Sequence, residues 1–357
     1  MGFFKKNKVK CDIGSYMHYI RGVRKSGKTT LFRDLVLEEY GKAECGAHIS
    51  IGNETGANAL DELMTVQAEN WTELKEIVSD LVENKSDNEF RLIALDTVDE
   101  LVKIATDEVL RQHRIKKGKP AESINDAFGG WGAGRKKLIE LIDNLLADLQ
   151  HAGYGVFLIG HTKLRDVKEK NGDEYQQLKS NLSEDYDGIF ANKADIIMTI
   201  SVDKDIEDDH VVGTKRYMHF RDDGFVDCGS RFTDMPEKVP YGAKEYIEAF
   251  EAGVRSSIKG GATEAEIKKR KEAEVEQKEK EGASFSKKAK DNKVDADENK
   301  KIIDEIMTYG QGVSDDEKDD LKKKIAEAKE KYEFDNFKSL NDFPTKIVKE
   351  VKDIILA

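Results

Sequence analysis

Gly22, Gly27, Lys28 and Thr29 stand at the spacing G-x-x-x-x-G-K-[ST] within GVRKSGKT (22–29), a pattern suited to holding a polyphosphate. Small residues let backbone N–H groups turn inward around phosphate oxygens, and the positive end of a following helix adds to the attraction. The expected cradle is Gly22, Val23, Arg24, Lys25, Ser26, Gly27, Lys28, Thr29 and Thr30. Lys28 is expected at the β and γ phosphates of ATP, and the Thr29 hydroxyl on a Mg²⁺ ion bridging them. A chance glycine-rich turn is the competing reading. Against it, the motif follows an apolar strand and opens an amphipathic helix, the context that gives the pattern its meaning.

RLIALD (91–96) ends in Asp96, the acid expected to hold Mg²⁺ at a strand tip; an ordinary helix N-cap is the alternative. Two carboxylates compete to activate water. Glu100 lies one helical turn beyond Asp96, whereas additional-strand ATPases place their second acid directly after the first, where this chain has Thr97. Glu54 follows the strand AHISIGN (47–53), at the carboxyl end where open α/β sheets put reactive groups. A base there would polarise the attacking water while Lys28 and the cation stabilise the phosphoryl group. A solvated Glu in GNETG is the plainer reading.

The elements that must position these groups alternate. Apolar runs at 16–22, 47–53, 91–96, 154–160, 194–201 and 216–221 read as strands. Segments 31–40, 72–82, 99–110 and 135–149 repeat apolar residues at helical spacing. This is an α/β layout, a mainly parallel sheet flanked by helices. From about residue 256 the composition turns to Lys, Glu and Ala, so the expected organisation is a nucleotide-binding domain over 1–255, a charged helix and flexible linker over 256–299, and a small helical domain over 300–357. Thr263 and Glu266 form a capping-box pattern before a helix read as solvated, and GASFSKKAKDNKVDADENK (282–300) reads as linker. Helical periodicity returns at 300–308, 315–330 and 345–356.

Composition sets the limits. With 38% hydrophobic and 36% charged residues in 357, the chain has material for a core but not for packing every segment. A net charge of −12 argues against a surface coated in cations, so any nucleic-acid contact must be local. No apolar run approaches bilayer length and MGFFKKNKVK leads into no signal core, which reads as no membrane and a cytoplasmic location, in a host cell if the chain is phage-encoded. Cys11, Cys45 and Cys228 show no paired spacing for zinc or redox chemistry.

The ordered set of P-loop, strand plus Glu54, strand plus Asp96, then VFLIGHTK (156–163) resembles the RecA-like recombinase core. It is most similar to the short phage ATPases that consist of that core and accompany single-strand annealing proteins, over roughly residues 12–245 with GGWGAGRKKL (129–138) included. The resemblance implies a RecA-like P-loop NTPase fold, ATP hydrolysis at the interfaces of a homo-oligomeric ring or filament, single-stranded DNA as activator, and an annealing or single-strand-binding protein as partner. It implies a γ-phosphate sensor at His161, for which a solvated strand-end histidine is the alternative. GSRFT (229–233) matches the motif whose basic residues reach a neighbour's nucleotide, with Arg231 and Phe232 kept and Gly229 in place of the lysine. Arg216 and Arg221 are the other candidates.

Two loops would face the DNA. The first, 111–134, carries Arg111, Arg114, Lys116, Lys117 and Lys119, then Phe128 and Trp131; the second, 162–181, carries Lys163, Arg165, Lys168 and Lys170. Cations beside flat aromatic faces suit a single strand, although a helix end or a packing anchor would also explain them. A ring helicase or translocase, and a slow nucleotide switch that recruits a partner through its helical tail, remain open.

Overall fold

A computed structural model describes residues 6–314 and 317–356. Met1–Lys5 and the expected helix start at 315 lie outside them. Two compact units are present, one ending at Gly282 and one beginning at Ala283.

The first unit is built on β1 (Met17–Gly22), buried at all of its positions. The strands that follow are β2 (Gly46–Ile51), β3 (Met64–Ala68), β4 (Leu92–Asp96), β5 (Gly155–Lys168), β6 (Glu174–Ser180), β7 (Ile196–Glu207), β8 (His210–His219), β9 (Gly229–Ser230) and β10 (Lys238–Pro240). Their order is β10-β8-β7-β1-β5-β4-β2-β3, with β6 paired to β5 and β9 to β7. The stretch from β7 to β3 is parallel; β8, β10, β6 and β9 join antiparallel. Strands buried on both faces need continuous apolar runs, which is why β1, β2 and β4 stand out in the sequence.

Helices α1 (Lys28–Tyr40), α2 (Trp71–Glu83), α3 (Val98–Lys117), α4 (Ala133–His151), α5 (Glu184–Ala191) and α6 (Ala243–Ser257) connect or follow the strands. The architecture is a RecA-like P-loop NTPase fold, with β5 inserted between the P-loop strand β1 and the Asp96 strand β4. Register fixes the site. Gly22 lies beside His161 on one flank and Ile200 on the other, and Asp96 lies beside Ser50. Both flanking strands run on past that edge, so the phosphate loop sits between two projecting ribbons, β5–β6 and β7–β8.

Three expectations need correction. Residues 162–181 form the antiparallel β5–β6 ribbon, paired from Thr162↔Ser180 to Lys168↔Glu174, where a loop was expected. The basic run Arg111–Lys117 is the last part of α3. The third concerns α7 (Glu264–Asp291), one continuous helix through the segment read as linker. Lys, Glu and Ala favour helix, and Gly282 lies where a Cβ would stand 2.3 Å from the Ala152 carbonyl oxygen, so it permits close packing and does not break the helix. Nor is α7 merely solvated: Ile267 is buried, the Glu274 carboxylate accepts Cys11 N–H at 2.7 Å and Asp12 N–H at 3.3 Å, and Lys278 pairs with Asp12 at 3.1 Å.

The second unit holds α8 (Ala296–Gly312), α9 (Lys318–Tyr332) and α10 (Thr345–Leu356) around Ile302, Ile303, Ile306, Leu340, Val348, Val351 and Ile355. Buried Asn299 donates to the carbonyls of Leu340, Asn341 and Phe343, tying α8 to the turn before α10. No helix among the described residues is long and apolar enough to cross a membrane.

Candidate nucleotide-binding site

After Gly22 the chain turns through Lys25 (φ 63°) and Gly27 (φ 97°) before α1 begins at Lys28. Gly27 is required on two counts. Its left-handed backbone disfavours a side chain, and a Cβ there would stand 2.5 Å from both Arg216 Nη1 and Tyr241 Oη. Lys28 is 6% exposed, and its Nζ donates to the carbonyls of Gly22 and Val23, each at 3.1 Å. Burial pulls its pKa down to about 8, opposed by the charges of Asp96, Asp99 and Glu54. An ammonium held on loop carbonyls inside a half-turn of backbone is matched to a polyanion. Ser26 Oγ, buried with no hydrogen-bond partner among the described residues, fits the same occupant.

The Thr29 hydroxyl donates to Asp96 Oδ2 at 2.7 Å, so α1 and β4 bring a neutral and an anionic oxygen together beside the cradle. Hard oxygen donors of this kind suit Mg²⁺, which is bound through one or two protein groups plus substrate phosphates and needs no dedicated cage. No cluster of three or more His, Cys, Asp or Glu that could hold a metal ion occurs among the described residues.

Glu54 is half-buried and its carboxylate makes no hydrogen bond to a described residue. A Cβ placed on Gly56 would lie 3.6 Å from Thr29 Oγ1 and 3.9 Å from Glu54 Oε1, so the two oxygens border one space. Glu100 is occupied elsewhere. Its N–H bonds to the Thr97 hydroxyl at 3.3 Å as an N-terminal cap, and its carboxylate pairs with Lys103 at 3.2 Å. His161 Nδ1 lies 3.3 Å from Lys28 Nζ, and burial followed by that lysine's charge lowers the histidine's pKa. A neutral ring with Nδ1 accepting from the ammonium satisfies both groups.

A family model described as AAA domain matches residues 15–232. The chain belongs to that family. Its core is an AAA-type P-loop ATPase domain. Among solved structures, a KaiC-like protein from the hyperthermophilic archaeon Pyrococcus horikoshii OT3 is similar at 14% identity and TM-score 0.36, over 65% of this chain and 88% of that one. No curated protein matches the chain in sequence.

Other expected residues of the AAA domain fall elsewhere. Arg231 pairs with Asp195 at 3.3 Å, and Asp195 accepts the N–H of Met17, so Arg231 sits at the end of β1 opposite to the phosphate loop. It is no part of this chain's own site. Arg216 is. Its Nη1 donates to the Ser26 carbonyl at 3.1 Å while the guanidinium lies 4.0 Å over the Tyr241 ring, and the Tyr241 hydroxyl donates to the Gly27 carbonyl at 2.8 Å.

Of the expected nucleic-acid residues, Arg114, Lys116, Lys117 and Lys119 are exposed around the C-terminus of α3, and Lys163 is exposed on β5. Arg165 is committed: it donates to the carbonyls of Ser180, Asn181 and Leu182, closing the β5–β6 ribbon. Trp131 is fully exposed with φ 54°, which rules out a core role within this chain.

Besides Tyr241, two residues near the site were not anticipated. The Asp99 carboxylate accepts the His161 N–H at 3.1 Å and the Asn181 side chain at 2.9 Å, anchoring the histidine. Buried His48 places Nε2 3.0 Å from Asp96 Oδ2. The only sequence signal for His48 is a polar residue inside the apolar run of β2.

Proposed function

We propose that this P-loop ATPase domain hydrolyses ATP with Mg²⁺, is stimulated by single-stranded DNA, and works in phage-type recombination or annealing beside a single-strand annealing or single-strand-binding protein, with several copies assembling. The observation that carries the hydrolytic part is the meeting of Thr29, Asp96 and Glu54 beside Lys28. In this reading the loop N–H groups and Lys28 hold the β and γ phosphates. Thr29 and Asp96 would hold Mg²⁺, which would supply charge neutralisation for the phosphates. Glu54 accepts a proton from water as the water oxygen bonds to the γ phosphorus and the bond to the bridging oxygen breaks, leaving ADP and phosphate. His161, hydrogen-bonded to Lys28 and anchored by Asp99, would register the loss of the γ phosphate at the start of the β5–β6 ribbon.

The DNA part rests on the resemblance and on exposed Arg114, Lys116, Lys117, Lys119 and Trp131, cations and a flat apolar ring on a chain of net charge −12. Steady-state hydrolysis with single-stranded DNA, duplex DNA and RNA at two salt concentrations tests it. Stimulation by single strands that fades at high salt is the expected result; a rate indifferent to all three would remove the recombination reading. A second reading, a nucleotide switch that recruits a partner through its tail, is favoured by one observation: residues from Ala283 onward have a core of their own. Slow, DNA-indifferent hydrolysis together with partner capture by that unit would select it.

A further inference from the structure

We propose that His48 is the positioning residue for Asp96, fixing through Nε2–H the carboxylate that is to meet the divalent cation. The inference rests on the reading of Thr29 and Asp96 as that cation's ligands. It starts from burial. His48 is 0% exposed in the middle of β2, and a buried imidazole must have its polar atoms satisfied. The polar atoms in reach are Asp96 Oδ2 at 3.0 Å from Nε2, with Thr65 Oγ1 at 3.1 Å and Ser50 Oγ at 3.5 Å from Nδ1. An ionised carboxylate can only accept, so Nε2 carries the proton; in a neutral ring Nδ1 then accepts, and the Thr65 hydroxyl donates to it.

A directed chain results, from Thr65 on the sheet's edge strand through His48 to Asp96. Register holds it in place: His48 lies opposite Thr65 of β3 on one side and Ala94 of β4 on the other, and Ser50 lies opposite Asp96. Phe32 of α1 packs against the imidazole with ring centroids 6.4 Å apart. Asp96 Oδ2 therefore receives two donors, Thr29 and His48, whereas Oδ1 receives none from a described residue. A carboxylate clamped through one oxygen cannot rotate away, and its second oxygen stays uncommitted. Hydrogen-bonding partners behind metal ligands set ligand orientation in this way, and removing one typically costs about 10- to 100-fold in metal affinity.

The test reads cation affinity without relying on turnover. Binding of a fluorescent ATP analogue is measured in EDTA and across a Mg²⁺ titration, with Mn²⁺ occupancy followed by electron paramagnetic resonance, for wild type, Asp96→Asn, His48→Phe, His48→Gln and Thr65→Val. His48→Phe keeps a ring of similar size without the donor and should weaken the cation about 10-fold or more. His48→Gln, whose amide can reach the place of Nε2, should restore most of that affinity, and analogue binding in EDTA should be the same in wild type, His48→Phe, His48→Gln and Thr65→Val. A merely packing role predicts the reverse order, with Phe tolerated and Gln not, and would overturn the proposal. So would wild-type cation affinity in His48→Phe when Asp96→Asn has lost it. If Asp96→Asn itself keeps the wild-type Mg²⁺ response, the ligand assignment is what fails, and the proposal falls with it. Should His48→Phe not fold, Thr65→Val decides: weakened cation affinity supports the directed chain and an unchanged value overturns it.

Discussion

At the scale of single residues, the site is defined by what each charged group does with its burial. Lys28 is nearly inaccessible and leans on loop carbonyls, so removing it deletes the cradle's one buried cation. Two of the three candidate arginines separate cleanly. Arg216 holds the Ser26 carbonyl and covers Tyr241, which in turn holds Gly27, so Arg216→Ala should loosen the loop and weaken nucleotide binding by about tenfold, the worth of a charge-assisted hydrogen bond. Arg231→Ala, at the far end of β1, should leave nucleotide affinity unchanged under conditions where the protein is monomeric. Fluorescent-nucleotide titration of both variants checks the pair, and equal losses would contradict this placement.

At the scale of elements, β1 joins the core to the site, and its second residue reports on the fold's pH tolerance. His18 stacks on Phe157, accepts from the Tyr246 hydroxyl at 2.7 Å and faces the Ile13 carbonyl at 2.9 Å, all as a neutral ring. Burial lowers its pKa from 6.5 to about 4. Above pH 6.5 both folded and unfolded chains carry it neutral; below that the unfolded chain takes up a proton that the folded one resists. Stability should therefore fall as pH drops from about 6.5 to 4, by up to roughly 3 kcal/mol from this group. Chemical unfolding across that window, with His18→Leu flattening the slope, is the check. Much of this level was legible in the sequence, because strands buried on both faces are mostly apolar and the P-loop spacing has few other uses. What was hidden has long-range causes. Nothing in the charged composition of α7 announces that Glu274 will accept the Cys11 N–H 263 residues earlier, and the contacts that matter for His48 and Asp99, to Asp96 and His161, span 48 and 62 residues. The β5–β6 ribbon was missed because its residues are mostly solvated and its register is held by pairing and by Arg165, not by an apolar face.

At the scale of the whole molecule, an acidic chain offers few places for a polyanion, and the proposed function puts a single strand at the exposed cations around the C-terminus of α3. Replacing Lys116, Lys117 and Lys119 together by Ala should weaken single-strand binding and flatten its salt dependence by roughly one unit of slope per lost phosphate contact. Fluorescence anisotropy at several salt concentrations measures both, and an unchanged slope would move the DNA elsewhere. All larger roles depend on phosphoryl chemistry at the edge of β1, and one comparison tests that directly: single-turnover ATP cleavage and equilibrium ATP binding, side by side, in wild type and Glu54→Gln. The account predicts ATP affinity retained with cleavage slowed by about 100-fold or more, as expected when a general base is removed. Cleavage by Glu54→Gln at the wild-type rate would contradict it.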